Sequence, residues 1–199
     1  MEKNFLEVLK NRRSIYALSD EMTVSDDKIM EIVKNAVKYT PTSFNNQSPR
    51  AVVLFGENHK KLWNIVMETL RKIVPADKFE PTEQKITNCF AAGYGTVLFF
   101  DDTKTTKGMM EKFPLYADNF PIWAEQSNGM VQLAVWAMLE EIGLGATLQH
   151  YNPIIDDEVK ETFNIPQEWR LIAQMPFGKP LAPAGEKEFL PIGERVIIL

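Results

Sequence analysis

The 199 residues carry 27 acidic and 22 basic side chains, a net charge of -5, with 45% hydrophobic and 25% charged residues. That is an ordinary globular composition, sufficient for one substantial core, and its negative balance offers nucleic acid no electrostatic attraction. Cys89 is the only cysteine, so no intramolecular disulfide can form and a zinc cluster lacks its usual ligands.

From the amino terminus, Phe5, Leu6 and Leu9 recur at helical spacing over residues 3–12, and the helix is expected to end at the pair Arg12-Arg13, followed by Ser14. Ser25 and two aspartates then make a helix start. Ile29, Ile32, Val33, Ala36 and Val37 form one apolar stripe, and Pro41 stops that helix. The loop TPTSFNNQSPR is dense in turn formers, and AVVLF after it reads as a short buried strand.

Residues 58–73 predict a helix with Leu62, Ile65, Val66, Leu70 and Ile73 facing inward. PTEQKITNCFAAGYGTVLFFDD predicts a helix, a glycine turn and a second buried strand, and 104–120 is mixed. Residues 122–142 predict one long helix with almost no polar face. Such a helix either runs through the centre of the fold or is covered by a second chain. GLGATLQHY breaks it and starts a strand; a short helix is expected at 156–163, a strand in EWRLIAQMPFG, and a last strand in GERVIIL. Helices and strands mix without regular alternation, which indicates an α+β fold in one domain, 1–199. No apolar run reaches membrane-spanning length, and MEKNFLEVLK is unlike a secretory leader. A cytoplasmic protein with no nucleic-acid or membrane partner is expected.

Nucleophile elbows, Walker loops, dinucleotide fingerprints and zinc-protease motifs are all missing from the sequence, and no metal site is expected. What remains is a cationic, amide-rich set on loops. Arginine forks and a serine hydroxyl suit a phosphate, while asparagine and glutamine match the mixed edge of a pyrimidine-like ring. Each feature also has a plainer reading. The arginines could complement the helix dipole, and His150 could be a hydrogen-bonded core histidine. Gly143 and Gly145 could cap a helix, Lys187 could be a solvated lysine, and the four tryptophans suit core or interface better than a ring stack.

In their order, R-R-S near the start, P-T-S-F-N-N-Q before the first strand and G-L-G-A-T-L-Q-H-Y-N-P after a long apolar helix, these motifs resemble the nitroreductase family. The last motif is most similar to a small bacterial and fungal branch of it. The resemblance covers nearly the whole chain. It implies a central, mainly antiparallel sheet flanked by helices, with the long helix at a homodimer interface. It also implies tightly bound, non-covalent FMN at that interface, NAD(P)H as reductant, and ping-pong reduction of a small aromatic acceptor, nitroaromatic or quinone-type. The flavin would carry the chemistry, so no catalytic side chain is assigned.

By the same resemblance, Arg12, Arg13 and Ser14 meet the phosphate and ribityl chain. Thr42, Ser43, Asn45 and Gln47 meet the isoalloxazine ring from the other subunit, and Leu148, Gln149 and His150 lie beside it. Lys187 meets the phosphate, with Arg195 as companion. Two positions depart from the family: Tyr16 stands where many relatives have a lysine near the ring's N1, and Phe189 where many have a second late basic residue. The alternative is a non-catalytic flavin-binding storage or sensor protein whose ring face is blocked by Phe113, Tyr116 or Phe120.

Overall fold

In a computed structural model that describes residues 4–199, the core of the fold is set by one strand. Gly95–Asp102 (β3) is apolar on both faces over Val97–Phe100 and buried as far as Asp101, as an unbroken hydrophobic run requires. Its neighbours are Pro49–Phe55 (β2) and the long Trp169–Pro180 (β5), both antiparallel to it. Two-residue strands at Leu18–Ser19 (β1) and Gly145–Ala146 (β4) also pair with β5. The order β1-β5-β3-β2 leaves β2 as an edge.

Successive β3 side chains point to opposite faces, and each face gains its own core. Val97 and Phe99 pack with Ile29, Ile32 and Val33 of Asp26–Tyr39 (α2) and with Val131, Val135 and Leu139 of Phe120–Glu141 (α6). Leu98 and Phe100 pack with Leu62, Trp63 and Val66 of Gly56–Arg71 (α3), with Val159 of Asp156–Phe163 (α7), and with Ile86 and Phe90. The result is a helix–sheet–helix α+β fold, as expected. Phe5–Asn11 (α1) starts with a reciprocal cap between Asn4 and Glu7, and Ser25 caps α2 by accepting from the Lys28 N–H. Residue 3, the expected start of the first helix, lies outside the described residues.

Glu80–Lys85 (α4) runs into a π-turn at Ile86–Phe90. Thr103–Lys112 (α5) then leads through a 3₁₀ segment, Pro114–Asn119, into α6.

Four local expectations are corrected. In α1 the buried residue is Val8, while Phe5 and Leu6 face outward. At the end of α3 the chain has left the helix by Lys72, so Ile73 is exposed. GLGATLQHY yields only β4 and an isolated bridge from Gln149 to Gln174. GERVIIL is no strand: its one regular feature is a 3₁₀ turn at Ile192–Glu194, and Val196–Leu199 are exposed. The segment has strand-forming residues but pairs with no strand of the sheet.

Candidate functional site

Helix α1 ends because Arg12 is extended rather than helical, its N–H closing on Val8 O. The chain then runs alongside the turn after α6. Ser14 forms a parallel bridge with Ala146, and the Ile15 N–H donates to Ala146 O at 3.0 Å. The two glycines of that turn have separate tasks. Gly143, at φ +82°, ends α6 with its own N–H on Glu140 O and the Leu144 N–H on Leu139 O, the Schellman arrangement that favours glycine. Gly145 lets the R-R-S segment pack closely, since a Cβ there would lie 3.0 Å from Ile15 and Leu18. Both glycines are thus explained by the protein's own packing, without a ring approaching them.

The arginines are the chemically demanding part. The Arg12 guanidinium lies 4.3 Å over the Trp136 ring. Burial, and then the adjacent charge of Arg13, pull its pKa below the usual value. No carboxylate among the described residues counters it. Arg13 donates to Gly185 O at 2.8 Å, which ties the carboxyl-terminal segment to this corner two residues before Lys187. Adjacent cations, one partly buried and without an acid, call for an anion. The donor set fits the phosphate of FMN: Arg12, Arg13 and Ser14 could hold it, and Lys187 follows two residues after the Gly185 that Arg13 holds. A hollow of about 580 Å³ borders this corner, lined by Lys10, Arg13, Glu140, Gly143, Gly145 and Pro180–Ala184. A larger hollow of about 710 Å³ lies away from it, between α2 and β2, and has mostly apolar walls. Chemistry rather than size therefore locates the anion site.

Beyond β4, residues 147–151 are laid along β5 by one buried residue that the sequence reading missed. Gln174 exchanges backbone hydrogen bonds with Gln149 at 2.7 and 2.9 Å, accepts from the Tyr151 N–H at 2.7 Å, and donates to Asn152 Oδ1. Leu148 and Gln149 are half-buried, and His150 is exposed, so His150 is not a core histidine. Tyr16, also exposed, has Phe90 beside it and Lys85 Nζ 5.8 Å over its ring. Lys85, the last residue of α4 before the π-turn, thus sets a cation beside Tyr16.

The loop Thr42–Gln47 is elsewhere. Phe44 packs on Trp123 near the start of α6, whereas Arg12 packs on Trp136 near its end. Thirteen residues of helix at 1.5 Å each separate them, roughly 20 Å. One chain therefore joins Arg12, Arg13 and Ser14 to the 145–150 segment and the tail, but does not bring Thr42, Ser43, Asn45 and Gln47 to them. Arg195 closes its turn on Ile192 O and makes no contact with the arginine pair among the described residues. Lys187 lies over the exposed Phe189 ring.

The loop is strongly constrained. Phe44, Asn45 and Gln47 are left-handed, at φ 55°, 51° and 54°. Thr42 Oγ1 accepts from the Gln47 N–H at 3.0 Å. Arg50 donates to Gln47 O at 2.5 Å and to Asp102 Oδ2 at 2.7 Å. Asp102 also caps α5 through Lys104 and Thr105. Burial would raise the Asp102 carboxyl, but hydrogen bonds from Thr105 and Lys104 and the Arg50 charge outweigh it and hold the pKa below the usual range. Asp102 ahead of a T-K-T-T helix start was a readable cap; nothing in the sequence marked Arg50 as its partner.

With this geometry in hand, comparison with known proteins gives a consistent picture. Residues 9–179 match the model of the nitroreductase family. The Saccharomyces cerevisiae protein HBN1 is 40% identical over 190 residues, covering 94% of this chain and 93% of that protein. Nitroreductase CinD from Lactococcus lactis, solved with nicotinic acid, is 44% identical with a TM-score of 0.92, covering 98% of this chain and 100% of that one. CinD has also been solved with chloramphenicol and with 4-nitrophenol. A Desulfovibrio desulfuricans protein in complex with FMN shares the fold at 17% identity and a TM-score of 0.71, covering 100% of this chain and 98% of that one.

Proposed function

The chain belongs to the nitroreductase family, and from that premise we propose that it is a homodimeric, cytoplasmic FMN oxidoreductase that takes hydride from NAD(P)H and reduces nitroaromatic or quinone-type acceptors. The observation that carries the reading is the half-buried Arg12 beside Arg13, with Ser14 held on Ala146 and no acid among the described residues countering Arg12. The FMN bound by the Desulfovibrio protein and the nitroaromatic molecules bound by CinD support the cofactor and the acceptor class.

Bound FMN would accept hydride at one open ring face and deliver electrons from that same face to the acceptor, which makes the order ping-pong. This chain's residues hold and orient. Arg12, Arg13 and Ser14 take the phosphate and ribityl end, with Lys187 and Arg195 as further charges. Leu148, Gln149 and His150 flank the ring, and Tyr16, with Lys85 over it, faces the N1 end. Thr42, Ser43, Asn45 and Gln47 close over the ring from the partner.

Three features support the dimer. Exposed Phe5, Tyr39, Met130 and Leu133 form an apolar surface on α1, α2 and α6. The tail carries exposed Leu190, Ile192 and Val196–Leu199, while the outer edge of β2 is open beside the 710 Å³ apolar hollow. Finally, α6 carries one half of the site near each end. A twofold axis across it sets the start of one helix against the end of the other and completes two sites at once.

The test is the visible spectrum of the purified protein, with FMN added if needed. Flavin absorbance that bleaches anaerobically with NADH or NADPH and returns with a quinone is expected. A protein that cannot be loaded with FMN overturns the reading. One that binds FMN but never turns over is instead the storage or sensor protein.

A further inference from the structure

The loop that carries Asn45 also carries a phenylalanine in a backbone conformation that bulky residues rarely adopt. Phe44 is left-handed and its side chain is 52% exposed. An asparagine or glycine would fit the backbone better, and packing accounts for only part of the ring. One side of the ring meets four others: Phe113 at 4.9 Å, Phe120 at 5.5 Å, Tyr116 at 5.8 Å and Trp123 at 6.0 Å, the last nearly parallel at 26°. The other side is uncovered by any described residue of the single chain, and Tyr116 is likewise 44% exposed there. The Arg50–Asp102 pair fixes both flanks of this cluster, because it grips Gln47 O on the loop and caps the helix leading to Phe113.

The geometry points to Phe44 as a specificity-determining residue: its free face, backed by Phe113, Tyr116, Phe120 and Trp123, is a platform on which a flat aromatic acceptor stacks. Placed on the ring-edge loop of the oxidoreductase proposed above, it selects planar aromatic acceptors over non-aromatic ones. Aromatic faces attract one another in offset or tilted contacts beyond what their buried area supplies. The rings are a surface for the acceptor, not a shutter over the site.

The experiment compares wild type with Phe44→Gly, which suits the left-handed backbone and so keeps the loop folded, and with Phe44→Tyr, which keeps the ring. KM is measured for 1,4-naphthoquinone and for ferricyanide, a non-aromatic acceptor. Binding of 2-naphthol, an unreactive flat aromatic, is measured separately by equilibrium dialysis without any reductant, on FMN-loaded and FMN-free protein. Phe44→Gly is expected to raise the naphthoquinone KM and the 2-naphthol Kd about tenfold, a loss typical of one aromatic contact. Its kcat and its ferricyanide KM stay unchanged, and Phe44→Tyr restores both affinities. Equal losses for both acceptors, unchanged 2-naphthol binding, or improved naphthoquinone turnover in the glycine variant would overturn the assignment. If no variant reduces anything yet wild type binds 2-naphthol and Phe44→Gly does not, the platform stands and the oxidoreductase reading falls.

Discussion

His59 shows how much a single buried side chain can fix. Its Nε2 lies 3.2 Å from Ala91 O, which can only accept, so Nε2 carries the proton and Nδ1 accepts from the Thr96 hydroxyl at 2.9 Å. Thr96 in turn accepts from the Trp63 indole N–H at 3.0 Å. The ring is needed neutral, and burial, only partly offset by the Ala91 hydrogen bond, pushes its pKa below the usual 6.5. The unfolded chain therefore binds a proton that the folded one refuses, and stability falls as pH drops below about 6.5. His59→Leu should cost about 2 kcal/mol at pH 7.5 by leaving the Thr96 hydroxyl proton without its acceptor and Ala91 O without the ring N–H. The gap between the two urea curves should narrow by pH 5.5. Nothing in the sequence marks His59, one of the chain's two histidines, for this part, because its partners lie more than 30 residues away. At the same scale Arg12, Arg13 and Ser14 stand out only together with the motifs that follow them, while Gln174 and Arg50 do not stand out, since they act on residues elsewhere in the chain, Tyr151 and Asn152 for one and Asp102 for the other.

At the scale of elements, periodicity and caps were sufficient for α2, α6, α7 and the three long strands, whose residues alternate or repeat toward cores that the chain itself supplies. They failed where a partner element decided the outcome: β1 and β4 exist only because β5 runs past them. That passage is tight. A Cβ on Gly178 would lie 2.4 Å from Ser19 O, so Gly178→Ala must move backbone. It is expected to cost more than about 3 kcal/mol, seen as a lowered denaturation midpoint or loss of soluble protein. The clamp between β2 and α5 is gentler, because Arg50 and Asp102 are 29% and 15% exposed. Arg50→Ala should destabilise by about 1–2 kcal/mol. A double-mutant cycle with Asp102→Asn, which retains the cap, should return a coupling of about 1 kcal/mol; additive losses would show that the two ends are not held together.

For the whole molecule, the sequence left α6 between two settings, and the fold gives it some of each. Val131, Val135 and Leu139 are buried on the sheet, whereas Met130 and Leu133 face outward. The apolar tail reads the same way, with strand-forming residues that pair with no strand of their own sheet. On the dimer reading, intact protein should sediment at about twice 22.8 kDa, and deletion of residues 186–199, which removes Lys187 with the tail, should leave a single chain that no longer retains FMN. Sedimentation at the mass of one intact chain would remove the second copy from the site.

The 20 Å of α6 between Trp123 and Trp136 has a consequence for how such a protein can be controlled. When each chain holds only half of two equivalent sites, activity per chain depends on abundance: dilution below the dissociation constant silences both sites together without any inhibitor. A close relative made in the same cell could pair in place of the identical chain and yield one site of each mixed composition, so a substitution near one end of the helix would be felt at a site whose phosphate grip belongs to the other chain.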